Sequence, residues 1–242
     1  MFILITFSYI IDSIKNIESG VFLGILSRPL EQIPYVIITL LVAFTIHELA
    51  HAYVAYKFGD NTAAREGRLT FNPLKHLEPI GAIFILMFGF GWAKPVPVNR
   101  NNFKNPRLNS ILVSVAGPIS NFILALLGML IVALLVATNI INMVPGFYAS
   151  GLITFFNIFI SMNIMLGVFN LLPLPPLDGY RIIEDLAPRQ IRAKMASVEM
   201  YGFIIFLVLF VTPLGDYTIR PLMSAGMSFV WGILDSIINI FF

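Results

Sequence analysis

His47, Glu48 and His51 follow the pattern His-Glu-x-x-His inside the run Ile37–Tyr56, which holds no other Asp, Glu, Lys, Arg or His. Side chains four residues apart share one face of a helix, so both imidazoles can grip a single ion. Glu48 follows the first imidazole and can reach a water held on that ion. Two imidazole ligands, a carboxylate base and an activated water are the parts of metal-assisted amide hydrolysis. The competing reading is a chance pattern whose histidines are hydrogen-bonded in a core. Ionisable groups are costly in hydrocarbon and are functional by default there, and the pattern uses two of only three histidines. Both points favour the chemistry.

A catalytic zinc takes three protein ligands and leaves a fourth position open to water. The chain has no cysteine, so disulfides and thiolate sites are excluded and the third ligand must be His, Asp or Glu. Asp178 is the best candidate. It closes the stretch from Asn170 through Pro173, Pro175 and Pro176, just after an apolar run. Those prolines break the helix and could turn the carboxylate inward. Equally, Asp178 could cap the helix that follows; the local residues leave both readings open. His76 could be a further ligand, but its polar loop favours a structural or interfacial role.

The elements that must position these groups are set by composition. Of 242 residues, 58% are hydrophobic and 12% charged, against about 25% charged in soluble domains. Too little polar material remains to cover a water-facing globule, so lipid is the solvent for most of the chain. A net charge of +2 gives no case for nucleic acid. Apolar runs long enough for helical spans fall at about 33–56, 108–138, 148–172, 198–214 and 221–242, with a weaker one at 2–27 interrupted by Asp12, Lys15 and Glu18. The beginning lacks a basic region and a clear cleavage site, so it does not read as a signal peptide. The segment 80–92 is too short to span and is flanked by Gly and Pro, which suggests a re-entrant or interfacial β-hairpin. The expected fold is an all-α polytopic membrane protein of five to six transmembrane helices, a single membrane-embedded domain over 1–242.

Charge sets the expected orientation. The loop 57–107 holds eight basic residues and 181–194 holds four, whereas 139–147 holds no charge and 215–220 only Asp216 and Arg220. Basic loops stay cytoplasmic. The helix bearing His47 and the run ending near Asn170 then both finish on the cytoplasmic side, so the two halves of the proposed site share a depth.

Three motifs together resemble the site-2 protease family of intramembrane zinc peptidases. His47–His51 resembles its zinc-helix motif, and Asn170–Gly179 fits its Asn-x-x-Pro-x-Pro-x-Leu-Asp-Gly motif. Gly117, Pro118 and Asn121 resemble its Gly-Pro-x-x-Asn motif. The likeness covers about 33–188. It implies that Asp178 is the third ligand to one zinc ion per chain and that Glu48 activates the zinc-bound water. It also implies cleavage of peptide bonds within or beside a substrate's transmembrane segment. Asn121 and Asn170 become candidates for binding substrate backbone or polarising the scissile carbonyl; helix–helix hydrogen bonding is their alternative role. The chain resembles the short subgroup without a PDZ domain. The stretch Gly67–Pro79 also resembles that subgroup, where Asp is more usual at the Glu78 position, and by that likeness the 80–92 hairpin could pair with an extended substrate. A prokaryotic plasma membrane, with the active site toward the cytoplasm, is the expected location. The expected partners are a transmembrane protein substrate and the lipid bilayer; oligomeric state is not readable. The rival from another class is a metal-ion or solute transporter using the same His/Asp cluster. It would be expected to show repeat symmetry or several acids along a path, whereas one compact cluster is found.

Overall fold

The computed structural model describes residues 29–88 and 92–241. Among them every regular element is helical. α1 (Ile33–Lys57), α3 (Pro106–Ala137), α4 (Gly146–Asn170) and α8 (Leu214–Phe241) are long and apolar enough to cross a membrane, α1 together with the turn that precedes it from Leu30. Between them lie α2 (Pro79–Phe88), α5 (Asp178–Leu186), α6 (Arg189–Glu199) and α7 (Gly202–Val211).

Two sequence expectations are corrected here. The segment expected as a β-hairpin is helical over Pro79–Phe88. A short apolar run does not distinguish strand from helix by its pattern, and a helix satisfies its own backbone where lipid cannot. The run 198–214 is not a span. It breaks at Met200–Tyr201 and again at Thr212–Pro213, leaving the ten residues Gly202–Val211. Ten helical residues reach about 15 Å, half of a hydrocarbon core of about 30 Å. The described residues therefore hold four span-length helices, and the weaker candidate at 2–27 lies outside them.

The bundle is built on α1, α3 and α4. Ala43 of α1 and Ala125 of α3 are fully buried, and Gly128 of α3 lies against Ile160 of α4. Small residues at these crossings let the helix backbones approach, which is how association proceeds where lipid removes the hydrophobic drive. Val36, Leu40, Met129, Ile160 and Ile164 fill the layers between them. On the opposite side of α3, Ile119, Ile123, Leu127 and Ile131 recur every four residues and are exposed. A contiguous outward apolar stripe on a polytopic helix is a lipid-facing surface.

A polar cap closes one end of the bundle. α1 stops at Phe58–Gly59, where Gly59 takes φ +101°, a conformation that suits glycine. Asp60, fully buried, accepts hydrogen bonds from the Thr62 and Asn99 backbone N–H groups and from the Thr62 hydroxyl and Asn102 amide. These tie the end of α1 to the extended segment 92–99. Lys94 of that segment donates its N–H to the His76 carbonyl at 2.8 Å, and its own carbonyl accepts from Arg68.

Burial pushes the Asp60 carboxyl up, but the donors around it outweigh that and hold it below the ordinary carboxylate range. An acid depressed by folding stabilises the fold above its unfolded pKa and loses that contribution as pH falls through the folded value. Asp60→Ala is therefore expected to cost about 1–3 kcal/mol near neutral pH. Thermal unfolding in detergent should show the gap to wild type closing as pH drops below the carboxylate range.

Candidate active site

α1 carries His47, Glu48 and His51, all buried. α4 runs alongside it and ends at Asn170; the turn through cis Pro175–Pro176 then brings Asp178 to the first position of α5. The N-cap of α5 falls on Leu177, and Asp178 Oδ2 is buried with no hydrogen-bond donor of the ordinary kind. Instead it lies 3.2 Å from Nε2 of His47 and 3.2 Å from Nε2 of His51. The two Nε2 atoms are 3.0 Å apart.

The opposite nitrogens of both rings are spoken for. Nδ1 of His51 lies 2.7 Å from the Val113 carbonyl of α3, which can only accept, so Nδ1 carries the proton. Nδ1 of His47 lies 2.7 Å from Oδ1 of Asn121. Asn121 is itself oriented: its amide nitrogen donates to Asn163 Oδ1 at 3.1 Å and to the Ala43 carbonyl at 3.5 Å. Asn163 in turn donates to the Phe159 carbonyl at 2.8 Å. The chain of amides leaves Asn121 Oδ1 as the acceptor, so His47 Nδ1 is the donor. Both Nε2 atoms then present lone pairs to each other and to a carboxylate oxygen.

With both imidazoles neutral, three electron-rich atoms converge, an arrangement that fits a bound cation. Ligands about 2.1 Å from a zinc ion at tetrahedral angles stand about 3.4 Å apart. Separations of 3.0–3.2 Å fit one such face. Among the described residues His47, His51 and Asp178 form the group able to hold one metal ion.

Gly117 explains how α3 comes close enough to supply Val113 and Asn121. A Cβ there would fall 2.6 Å from Nε2 of His47 and closer still to Nε2 of His51. Glu48 lines the same cavity, and its Oε2 accepts the Val96 N–H at 2.9 Å, which fixes the carboxylate against the segment 92–99. A cavity of about 300 Å³ opens over these groups, mostly apolar, with Asn170 and Arg181 also on its wall. Asn170 donates to the Leu166 carbonyl at 2.9 Å within α4. His76 stands apart in the cap, donating from Nε2 to the Thr70 carbonyl at 2.9 Å. Of the residues singled out from sequence, five reach the cavity wall, whereas Asn121 is fully buried behind His47.

Residues 35–212 match Peptidase family M50. This chain belongs to that family. Membership in M50 agrees with the compact site, and the transporter rival has nothing comparable behind it. Among M50 relatives, YwhC of Bacillus subtilis (strain 168), named as a zinc metalloprotease, is 59% identical over 213 residues, 88% of this chain and 93% of its own length. Rip2 of Mycolicibacterium smegmatis, named likewise, is 29% identical over 197 residues, 77% and 71% of the two chains. Rip2 of Mycobacterium tuberculosis (strain H37Rv) is 31% identical over 179 residues, 72% and 65%. No solved structure matches. The M50 chain is a multi-pass membrane metalloprotease with zinc as its cofactor.

Sequence reading did not reach four supports of this site: the Val113 carbonyl, Asn163, the Val96 N–H and the close approach at Gly117. Only Gly117 left a signal, four residues before Asn121 and so on the same helix face. Gly117→Ala and Asn121→Leu are each expected to lower zinc affinity, about 10–100-fold for the amide that orients a metal-facing histidine. Zinc titration of detergent-purified protein against a competing chelator measures both.

Proposed function

We propose that this M50 protein hydrolyses peptide bonds within or beside transmembrane segments of membrane protein substrates, with His47, His51 and Asp178 holding one zinc ion. The reading rests on the convergence of two lone-pair nitrogens and one carboxylate oxygen, 3.0–3.2 Å apart, at a cavity among membrane-spanning helices. Bound there, zinc supplies Lewis acidity toward the scissile carbonyl and the attacking water. Glu48 takes the proton from that water and returns it to the leaving nitrogen. The Val96 N–H engages Oε2 of Glu48 and leaves Oε1 open to take the proton.

Helical substrate backbone hides its carbonyls in its own hydrogen bonds, so the segment to be cut must unwind locally to reach the cavity. The position of Asn170 on the cavity wall supports a role in binding substrate backbone or the developing oxyanion. Asn121 acts through His47, whose tautomer it sets. The basic loops favour a cytoplasmic face for the site, and the bacterial relatives favour a prokaryotic plasma membrane. On this reading the chain works as one membrane-embedded protease domain.

Glu48→Gln is expected to abolish cleavage of a transmembrane reporter, a loss of at least about 100-fold for a general base, while zinc content stays at one ion per chain. Normal turnover by that variant would remove Glu48 from the mechanism. Chelation should silence wild type, and added zinc should restore it.

A further inference from the structure

The cavity wall is chemically lopsided. Leu40 and Phe44 precede His47 by about two turns and one turn of α1, and Met162, Met165 and Phe169 line it from α4. Against this apolar lining stands, among the described residues, a single lining Lys or Arg: Arg181, three residues after Asp178 on α5 and outside the membrane-spanning helices. Residues three apart share a helix face, and Arg181 lines the same cavity as Asp178 from α5. Its ion-pair partner is Glu199, at 3.8 Å from Nε, beyond hydrogen-bond length, and both side chains are more than a third exposed. A guanidinium carries five N–H donors in a fork that matches a carboxylate. Glu199 satisfies none of them at bonding distance and stands beside the fork as an internal carboxylate.

We infer that Arg181 is a specificity residue that recognises a carboxylate on the substrate, next to the apolar stretch occupying the rest of the cavity. The inference rests on the proteolytic reading of the same site. Its consequence is selective in both directions. Membrane proteins carry Lys and Arg on the cytoplasmic flanks of their spans. Such flanks are repelled by Arg181, and an acidic flank or a free C-terminus is drawn in. Rejection of a like charge is as much a part of specificity as attraction of the right one. Ordinary transmembrane proteins would thus be excluded by charge, and cleavage confined to segments with an anionic end.

The test uses reporters with one apolar segment and a flank of Asp, Asn or Lys, plus a pair ending in a free or an amidated C-terminus. Binding is measured on zinc-loaded Glu48→Gln protein, and cleavage on wild type, each with and without Arg181→Glu. The Asp reporter is expected to bind at least about tenfold better than the Lys reporter, the scale of one charge-assisted hydrogen bond. Arg181→Glu should reverse that order, and Glu199→Gln should widen it. Preference for the free terminus over the amide would assign the carboxylate to a chain end; preference for Asp with no terminal effect would assign it to a side chain. A ratio between substrates is independent of the fraction of protein folded or metal-loaded. Equal binding of all flanks, or a ratio unmoved by Arg181→Glu, overturns the inference even where wild type cleaves. Flank preference in Glu48→Gln with no cleavage by wild type upholds the recognition and defeats the proteolytic reading instead.

Discussion

Two imidazole nitrogens and a carboxylate oxygen, held 3.0–3.2 Å apart inside a helical bundle, repel one another unless a cation lies between them. The rest of the structure can be read as the apparatus that enforces this unfavourable meeting. Neither histidine can turn away, because each has its other nitrogen fixed to α3: His51 to the Val113 carbonyl and His47 to Asn121. Nor can either ring take its proton on Nε2 without abandoning a 2.7 Å hydrogen bond to an acceptor. The tautomer, the ring orientation and the availability of the lone pair are therefore one decision, taken in α3 and α4 rather than in the helix that bears the histidines.

That decision requires close packing. α3 reaches both imidazoles only because residue 117 has no side chain, and Asn121 of α3 reaches the carbonyl of fully buried Ala43 on α1. In lipid, small residues and interhelical hydrogen bonds are what hold helices together. The amide chain from Asn121 to Asn163 serves both ends at once: it fastens α3 to α4 and fixes the acceptor facing His47. Packing and chemistry share the same atoms, which is why so few polar groups suffice in this bundle.

Much of this was legible beforehand, and the gaps have physical causes. The long spans declared themselves by length and apolarity, and the His-Glu-x-x-His spacing by the geometry of a helix turn. Asp178 could not be separated from a helix cap on local grounds, because both roles put an acid at the start of a helix after prolines. The structure puts the N-cap on Leu177 and brings Asp178 Oδ2 to both imidazoles. The 80–92 segment misled because ten apolar residues have no period that separates strand from helix. The 198–214 run misled because hydropathy does not register the breaks at Tyr201 and Pro213. Val113 and Val96 were invisible for a different reason: each contributes a backbone group, and a backbone group leaves no mark in the residue type.

Asp178 lies 127 positions beyond His51 in the chain, and its register with α1 has to be enforced from elsewhere. The enforcement comes from charge at the far end of its own helix. Asp185, fully buried, pairs with Arg100 at 2.9 Å and with Arg192 at 2.8 Å, and Glu184 pairs with Arg100 at 3.2 Å. Burial pushes the Asp185 carboxyl up despite these cations, and leaving it unpaired would be costly. Arg100 directly follows the segment 92–99, whose Val96 N–H holds Glu48. One polar assembly outside the span-length helices thus both pins the Glu48 carboxylate and carries the carboxylate proposed as third ligand. The histidines, and Glu48 itself, stand on α1 in the span-length bundle. The site is the junction of the two, and the apolar helices alone could not have set its geometry.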